Sequence, residues 1–221
     1  GFYPNLGAAQ GTASPYYHWY RFHPFPTDYD AWWGIKNLPA VNETEPSYID
    51  YIITGEHSII RRWLRAGASG WRLDVADELP DSFIEKIRST IEQEEPDGYL
   101  LGEVWEDGTT KVAYSQRRKY LLGHETHGLM NYPFRTALLA WLDGGDAADF
   151  RHAMECIREN YPPAAFYGAM NFLGTHDTAR ILTLLGAEQV PEQKPERAAY
   201  RLSPQELDRG RRRLRLAGML L

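Results

Sequence analysis

Asp74, Glu103 and Asp177 are the residues of this sequence on which chemistry could rest, because each stands at the end of a short apolar run. The runs are Gly70-Trp71-Arg72-Leu73-Asp74-Val75, Tyr99-Leu100-Leu101-Gly102-Glu103-Val104 and Asn171-Phe172-Leu173-Gly174-Thr175, the last followed by His176-Asp177. Runs of that length and composition read as strands. In a parallel sheet the C-terminal strand ends open on one rim, so acids placed there converge on a common pocket. Each acid by itself also suits a plainer role as the N-cap of the next helix, and Asp177 before Thr178-Ala179-Arg180 suits it best.

The neighbours sharpen the chemistry. Arg72 and Asp74 are two apart on a strand and so point to the same face. An inward arginine and an inward aspartate are costly unless they pair or serve a ligand, and the guanidinium favours an ionised carboxylate, as a nucleophile requires. Glu103, flanked by Gly102, Val104 and Trp105, is expected in an apolar setting that favours the protonated form of a general acid. Two carboxyl groups in opposite protonation states, on neighbouring strand ends, match the needs of glycosidic bond cleavage. Tyr16, Tyr17, Trp19, Tyr20, Trp32 and Trp33 would offer flat faces for pyranose rings, or serve as the glue of a loop-rich region.

The elements that must position these residues alternate along the chain. Residues 1–45 are rich in Gly, Pro and aromatics without a sustained period, with eleven Phe, Tyr or Trp by Trp33. They read as a loop-rich excursion. A helical pattern runs from Pro46 to Leu64 and closes near Gly67. A second places Phe83, Ile84, Ile87 and Ile91 on one face after Pro80-Asp81. Gly128-Leu129-Met130-Asn131-Tyr132 reads as a further strand, with helices over 134–142 and 146–160 and an apolar-periodic piece around Tyr114 to Leu122. Four strands separated by helical stretches imply a parallel sheet with crossover helices. A last helical pattern opens at Pro204. Its basic run, Arg209 to Arg215, reads as a solvated face. The opening Gly1 and the uncapped Met219-Leu220-Leu221 give both ends a severed look.

Composition narrows the partners. The 221 residues are 43% hydrophobic and carry 30 acidic against 24 basic side chains, a formal charge of −6. That balance excludes disorder and gives no general electrostatic reason to bind nucleic acid or anionic lipid. No stretch is apolar for long enough to span a membrane. Cys156 is the lone cysteine, so no disulfide framework exists. His124 and His127 could share a helix face, but a third metal ligand is missing.

Three blocks, Gly70-Trp71-Arg72-Leu73-Asp74-Val75-Ala76, Gly102-Glu103-Val104-Trp105 and Phe172-Leu173-Gly174-Thr175-His176-Asp177, closely resemble the ordered signatures of the α-amylase superfamily of retaining glycoside hydrolases. Leu38-Pro39-Ala40-Val41-Asn42, Ser14-Pro15-Tyr16-Tyr17 and Met130-Asn131-Tyr132-Pro133-Phe134-Arg135 are similar to its neopullulanase, cyclomaltodextrinase and maltogenic amylase branch. The resemblance implies a retaining hydrolase of α-1,4 glucosidic bonds in maltooligosaccharides, cyclodextrin, pullulan or starch, and leaves α-1,6 bonds open. Asp74 would be the nucleophile, Glu103 the acid and later base, and Asp177 the third acid gripping the sugar hydroxyls. Arg72 would orient Asp74, His176 would contact the same sugar, and Trp105 would line the neighbouring subsite. A transglycosylase or branching-type enzyme of the same superfamily and a non-catalytic carbohydrate-binding relative are the competing readings.

The family fold is an eight-stranded (β/α) barrel. Only the equivalents of strands four to seven are expected here, as a partial (β/α)8 TIM barrel over 46–221, preceded by part of a loop-rich protruding domain over 1–45. The blocks at an early strand and at the eighth have no counterpart. A half barrel leaves strand edges and a charged inner face open, so covering by partner chains or a homo-oligomer is expected, with weak or no activity for the fragment alone. No cofactor is assigned; the resemblance allows calcium in the intact protein but points to no ligand here. The compartment is left open, with the cytoplasm of a bacterial-type cell favoured.

Overall fold

The computed structural model describes residues 6–221, so Phe2 and Tyr3 of the aromatic opening lie outside the described residues. Packing divides the chain into two compact units. One comprises the residues up to Trp71 together with Asp77–Leu100, and the other Arg72–Ala76 together with Leu101–Leu221. The boundary expected at residue 45 follows the character of the sequence, whereas this division follows contacts.

In the first unit the loop-rich opening is held by 3-10 turns at Ala8–Gln10, Tyr17–Trp19 and Trp32–Gly34, and by single β-bridges such as Tyr20 to Val41. The helical pattern expected from Pro46 to Leu64 is broken. Helix α1 (Pro46–Ile49) runs into a wide π turn at Asp50–Thr54, and helix α2 (Ile59–Arg65) starts afresh. The break has a cause in Gly55 and Ser58: Ser58 Oγ accepts from the Arg61 N–H at 3.4 Å and donates to the Ile53 carbonyl at 2.8 Å, an N-cap that restarts the helix. Strand β1 (Gly70–Leu73) follows, and helix α3 (Asp81–Glu94) buries Phe83, Ile84, Ile87 and Ile91 as the periodicity requires. Arg61 and Arg65 on α2 both pair with Glu94 at the end of α3.

Strand β2 (Tyr99–Gly102) lies between β1 and strand β5 (Gly128–Leu129), and β2 pairs with β5 in parallel, Leu101 opposite Gly128. Between them, the apolar-periodic piece around Tyr114 to Leu122 is no helix. Strands β3 (Val112–Ala113) and β4 (Gln116–Arg117) form a hairpin there, turned by Tyr114 and Ser115 at φ 52 and 62. His124 lies in a bend, so His124 and His127 share no helix face.

Helix α4 (Tyr132–Leu142) starts where Asn131 Oδ1 accepts from the Phe134 N–H at 3.0 Å, and helix α5 (Ala147–Asn160) starts on the carboxylate of Asp146. The short helix α6 (Pro163–Tyr167) leads to a correction. Residues 171–175 form no strand; the expected fourth strand survives only as one parallel bridge, Met130 to Met170. Helices α7 (Ile181–Gly186), α8 (Lys194–Ala199) and α9 (Pro204–Ala217) complete the unit. Phe134, Leu138 and Ala217 are its buried cluster on the helical side, and Met130, Tyr132 and Phe172 form a second at the strand ends.

The arginine run is not simply a solvated face. Arg209 donates to the Gly186 carbonyl at 3.0 Å and Arg213 to the Leu185 carbonyl at 3.2 Å, so two cations of α9 satisfy the orphan carbonyls at the C-terminus of α7.

Candidate active site

The second unit holds Arg72, Asp74, Glu103, Trp105, His176 and Asp177. Arg72 lies on β1 and Asp74 directly follows its last residue; the two side chains keep to one side, as period two demands, and Arg72 Nη1 donates to Asp74 Oδ1 at 2.6 Å. Arg72 Nη2 lies 2.9 Å from Glu103 Oε2, so one guanidinium holds both carboxylates. Its Nε faces the Met130 sulfur at 3.3 Å. Burial acts to lower the pKa of Arg72. The hydrogen bond to Asp74 and the charges of Glu103 and Asp74 together outweigh it, and the net direction is upward.

Glu103 is 4% exposed, and Asp74, with a side chain 69% exposed, is open to solvent. The expectation of an apolar setting for Glu103 is overturned. Four donors surround its two oxygens: Arg72 Nη2 and the Val75 N–H at Oε2, Trp105 Nε1 and the Tyr132 hydroxyl at Oε1. The apolar neighbours in the sequence are real, but a buried carboxyl with no donors would cost several kcal/mol, so the fold brings donors from elsewhere, Tyr132 among them.

Two of these donors were not anticipated. Val75 sits at φ 43, a left-handed backbone that a β-branched residue adopts only under strain, and its N–H donates to Glu103 Oε2 at 2.9 Å. Tyr132 is the first residue of α4 and is fully buried. Its ring lies nearly parallel to Trp105, centroids 4.1 Å apart, and meets Phe172 edge-on at 4.8 Å. Burial raises the Tyr132 pKa; a hydrogen bond with Thr175 opposes this, and the charges of Glu103 and Asp177 add to it. A signal for Tyr132 existed, since Met130 to Arg135 already stood out in the sequence, whereas nothing in the letters marks a backbone angle.

His176 and Asp177 form their own pair, Nε2 to Oδ2 at 3.3 Å, both with exposed side chains. They stand on a turn in which Asp177 N–H donates to Thr175 Oγ1 at 3.2 Å and Thr175 N–H to Thr178 Oγ1 at 3.0 Å. Asp177 is not a helix cap, because α7 begins four residues later with Arg180 at its N-cap. The structure thus clusters Arg72, Asp74, Glu103 and Trp105. Asp177 is not brought into hydrogen-bond contact with them; its contacts are with His176 and Thr175 on its own turn. Among the described residues no three His, Cys, Asp or Glu side chains are grouped to hold a metal.

The aromatic wealth of the opening segment belongs to the first unit. Tyr17 stacks on Phe22, Trp19 meets Tyr16 and Tyr48, and Trp32 stacks on Trp33, so most of these rings bind one another. A cavity of about 840 Å³ lies among Tyr16, Trp19, Tyr20, Phe22, Tyr29 and Tyr51.

Comparison with known proteins agrees with this layout. Residues 26–203 match the family described as alpha amylase, catalytic domain. An amylopullulanase of Thermoanaerobacter thermohydrosulfuricus is 34% identical over 97% of this chain and 16% of its own length. A cyclomaltodextrinase of Geobacillus thermopakistaniensis is 30% identical over 80% of this chain and 30% of its own. Among solved structures, the cyclic α-maltosyl-(1→6)-maltose hydrolase of Arthrobacter globiformis in complex with maltose superposes with a TM-score of 0.69 at 27% identity, over 80% of this chain and 39% of that one. The chain therefore spans less than a third of either curated relative, and its fold is part of a (β/α)8 barrel. By the extent of the family match and the order of its three acid-bearing blocks, this chain belongs to the α-amylase family.

Proposed function

We propose that this chain carries the catalytic acids of a retaining hydrolase of α-glucans. The observation that carries the reading is the single Arg72 guanidinium shared by Asp74 and Glu103, which holds two carboxyl groups from different strand ends within the span of one side chain. Double displacement needs its two carboxyls close together, about 5–5.5 Å apart. Asp74, open to solvent and hydrogen-bonded to a cation, suits the nucleophile. Its oxygen bonds to the anomeric carbon as the bond from that carbon to the glycosidic oxygen breaks. Glu103 gives its proton to the departing oxygen. Water then attacks the same carbon, returns a proton to Glu103 and releases the Asp74 carboxylate, so the product keeps the α configuration. Asp177 and His176, exposed on their turn, would grip sugar hydroxyls, and Trp105, with 49% of its surface open, would stack on the adjoining ring.

The names of the relatives fit substrates such as maltooligosaccharides, cyclodextrins and pullulan, which makes these the substances to offer. The test compares the full-length protein with its Asp74→Asn and Glu103→Gln variants on maltotriose and pullulan, with the anomeric configuration of fresh product read by proton NMR. Loss of cleavage by about a thousandfold or more in Asp74→Asn and α product from the unaltered protein are expected. Undiminished cleavage in Asp74→Asn, or β product, would remove the reading.

A further inference from the structure

We propose that Tyr132 is the positioning residue of the acid step: its hydroxyl fixes Oε1 of Glu103 as the oxygen that carries the proton and keeps that oxygen aimed at the sugar side of Trp105. This rests on the reading of Glu103 as the acid.

The argument is an accounting of donors and acceptors. At Oε2 the partners are Arg72 Nη2 at 2.9 Å and the Val75 N–H at 2.9 Å. Neither can accept a hydrogen bond. A proton on Oε2 would need one of the two lone pairs that these donors occupy, so one of the two bonds would have to break with no acceptor there to replace it. The acid proton therefore sits on Oε1. The two partners there differ: Trp105 Nε1, at 3.2 Å, only donates, whereas the Tyr132 hydroxyl, also at 3.2 Å, can donate or accept. Among these hydrogen-bond partners of Glu103, Tyr132 alone can accept from a proton on the carboxyl group as well as donate to the carboxylate. It donates to the carboxylate that exists after the proton has left, and accepts from the acid that exists before.

The hydroxyl can do this because its ring is immobile. Tyr132 is the first residue of a helix capped by Asn131, it is fully buried, and it is clamped between the face of Trp105 and the edge of Phe172. The same ring therefore sets the plane of the exposed indole and the direction of Oε1. A sugar stacked on Trp105 would meet the proton-bearing oxygen in fixed register.

The test removes one oxygen atom. Tyr132→Phe keeps the ring and its stacking, and kcat/KM is measured in the full-length protein on two substrates. One is maltotriose, whose leaving group is a sugar needing protonation; the other is 4-nitrophenyl α-maltoside, whose leaving group does not. A loss of about tenfold on maltotriose with less than about twofold on the aryl maltoside is expected. Equal losses on both substrates, which a merely structural role would give, would overturn the proposal, and so would no loss on either. Glu103→Gln, run beside it, separates the two levels of the argument. If that variant shows leaving-group dependence and Tyr132→Phe does not, Tyr132 alone is ruled out; if Glu103→Gln shows none, Glu103 is not the acid and both readings fall.

Discussion

The backbone N–H of Val75 donates to Glu103 Oε2 at 2.9 Å from a residue held at φ 43. The residue after one proposed catalytic acid thus serves the other, at the point where the chain leaves β1 through a left-handed turn. A β-branched side chain in the left-handed region costs on the order of 1–2 kcal/mol. It persists because the Glu103 oxygen and the adjacent pairing of the Ala76 N–H with the Glu103 carbonyl, at 3.1 Å, hold it in place.

Val75→Asn retains the N–H and tolerates the angle better. Its thermal midpoint is expected to equal or exceed that of the unaltered protein, with activity within about threefold. Val75→Pro has no N–H and a φ fixed near −65°, so it should lose both stability and cleavage. A stabilised, fully active proline variant would show that the Val75 donor has no part in holding Glu103.

Among the described residues Arg72 is the side chain that touches both acids, and lysine cannot replace it. A point charge on a flexible stem can face Asp74 or Glu103 but cannot bridge both in a fixed plane. With one charge-assisted bond worth about 1.5–3 kcal/mol, Arg72→Lys is expected to lower kcat/KM on maltotriose by about 10- to 100-fold. Steady-state kinetics would check it, and a lysine variant within a factor of two of the parent would contradict the bridge.

Much of this site was legible in the letters. Period-two alternation correctly turned Arg72 and Asp74 to one face, and the ends of β1 and β2 brought Asp74 and Glu103 to one guanidinium. What failed did so where tertiary partners decide. The segment 171–175 has a strand-like composition, yet the pairing stops at Met170 just before it and the run itself stays irregular. The environment of Glu103 was misread because sequence shows only its chain neighbours. The donors that define it come from 28 and 29 residues away, at Val75 and Tyr132. The helical pattern of 46–64 hid a break because Gly55 and Ser58 interrupt it without disturbing the apolar spacing on either side.

Gly186 and Gly210 let α7 and α9 touch backbone to backbone. A β-carbon on Gly186 would stand 2.5 Å from the Glu206 carbonyl oxygen and 3.3 Å from the Gly210 α-carbon, and neither is the movable end of a side chain. Gly186→Ala should therefore destabilise the protein by about 1–3 kcal/mol, read from urea denaturation midpoints at unchanged slope. Since Arg209 and Arg213 also grip the last carbonyls of α7, the substitution pulls against two ion-assisted contacts at once. An alanine variant as stable as the parent would mean that the two helices are not in this contact.

Glu206 makes the acid end of the stability profile testable. The Ser203 N–H, the Glu188 N–H and the Tyr200 and Ser203 hydroxyls all hydrogen-bond its carboxylate, and these outweigh burial to bring its pKa down from 4.5 to about 2. A carboxyl depressed in the folded state binds its proton more weakly there than in the unfolded chain. Its contribution is therefore fully present above pH 4.5 and is lost as the pH falls from 4.5 towards about 2. The group caps α9 through a reciprocal pair with Ser203, the Ser203 N–H donating to Glu206 at 2.8 Å and Ser203 Oγ accepting from the Glu206 N–H at 3.3 Å. Glu206→Gln removes the titration and keeps one acceptor oxygen. Thermal midpoints measured from pH 6 to pH 2 should fall less steeply for this variant than for the parent below pH 4.5, and should run parallel above it. Parallel curves across the whole range would show that the carboxylate at the start of α9 titrates as an ordinary surface group.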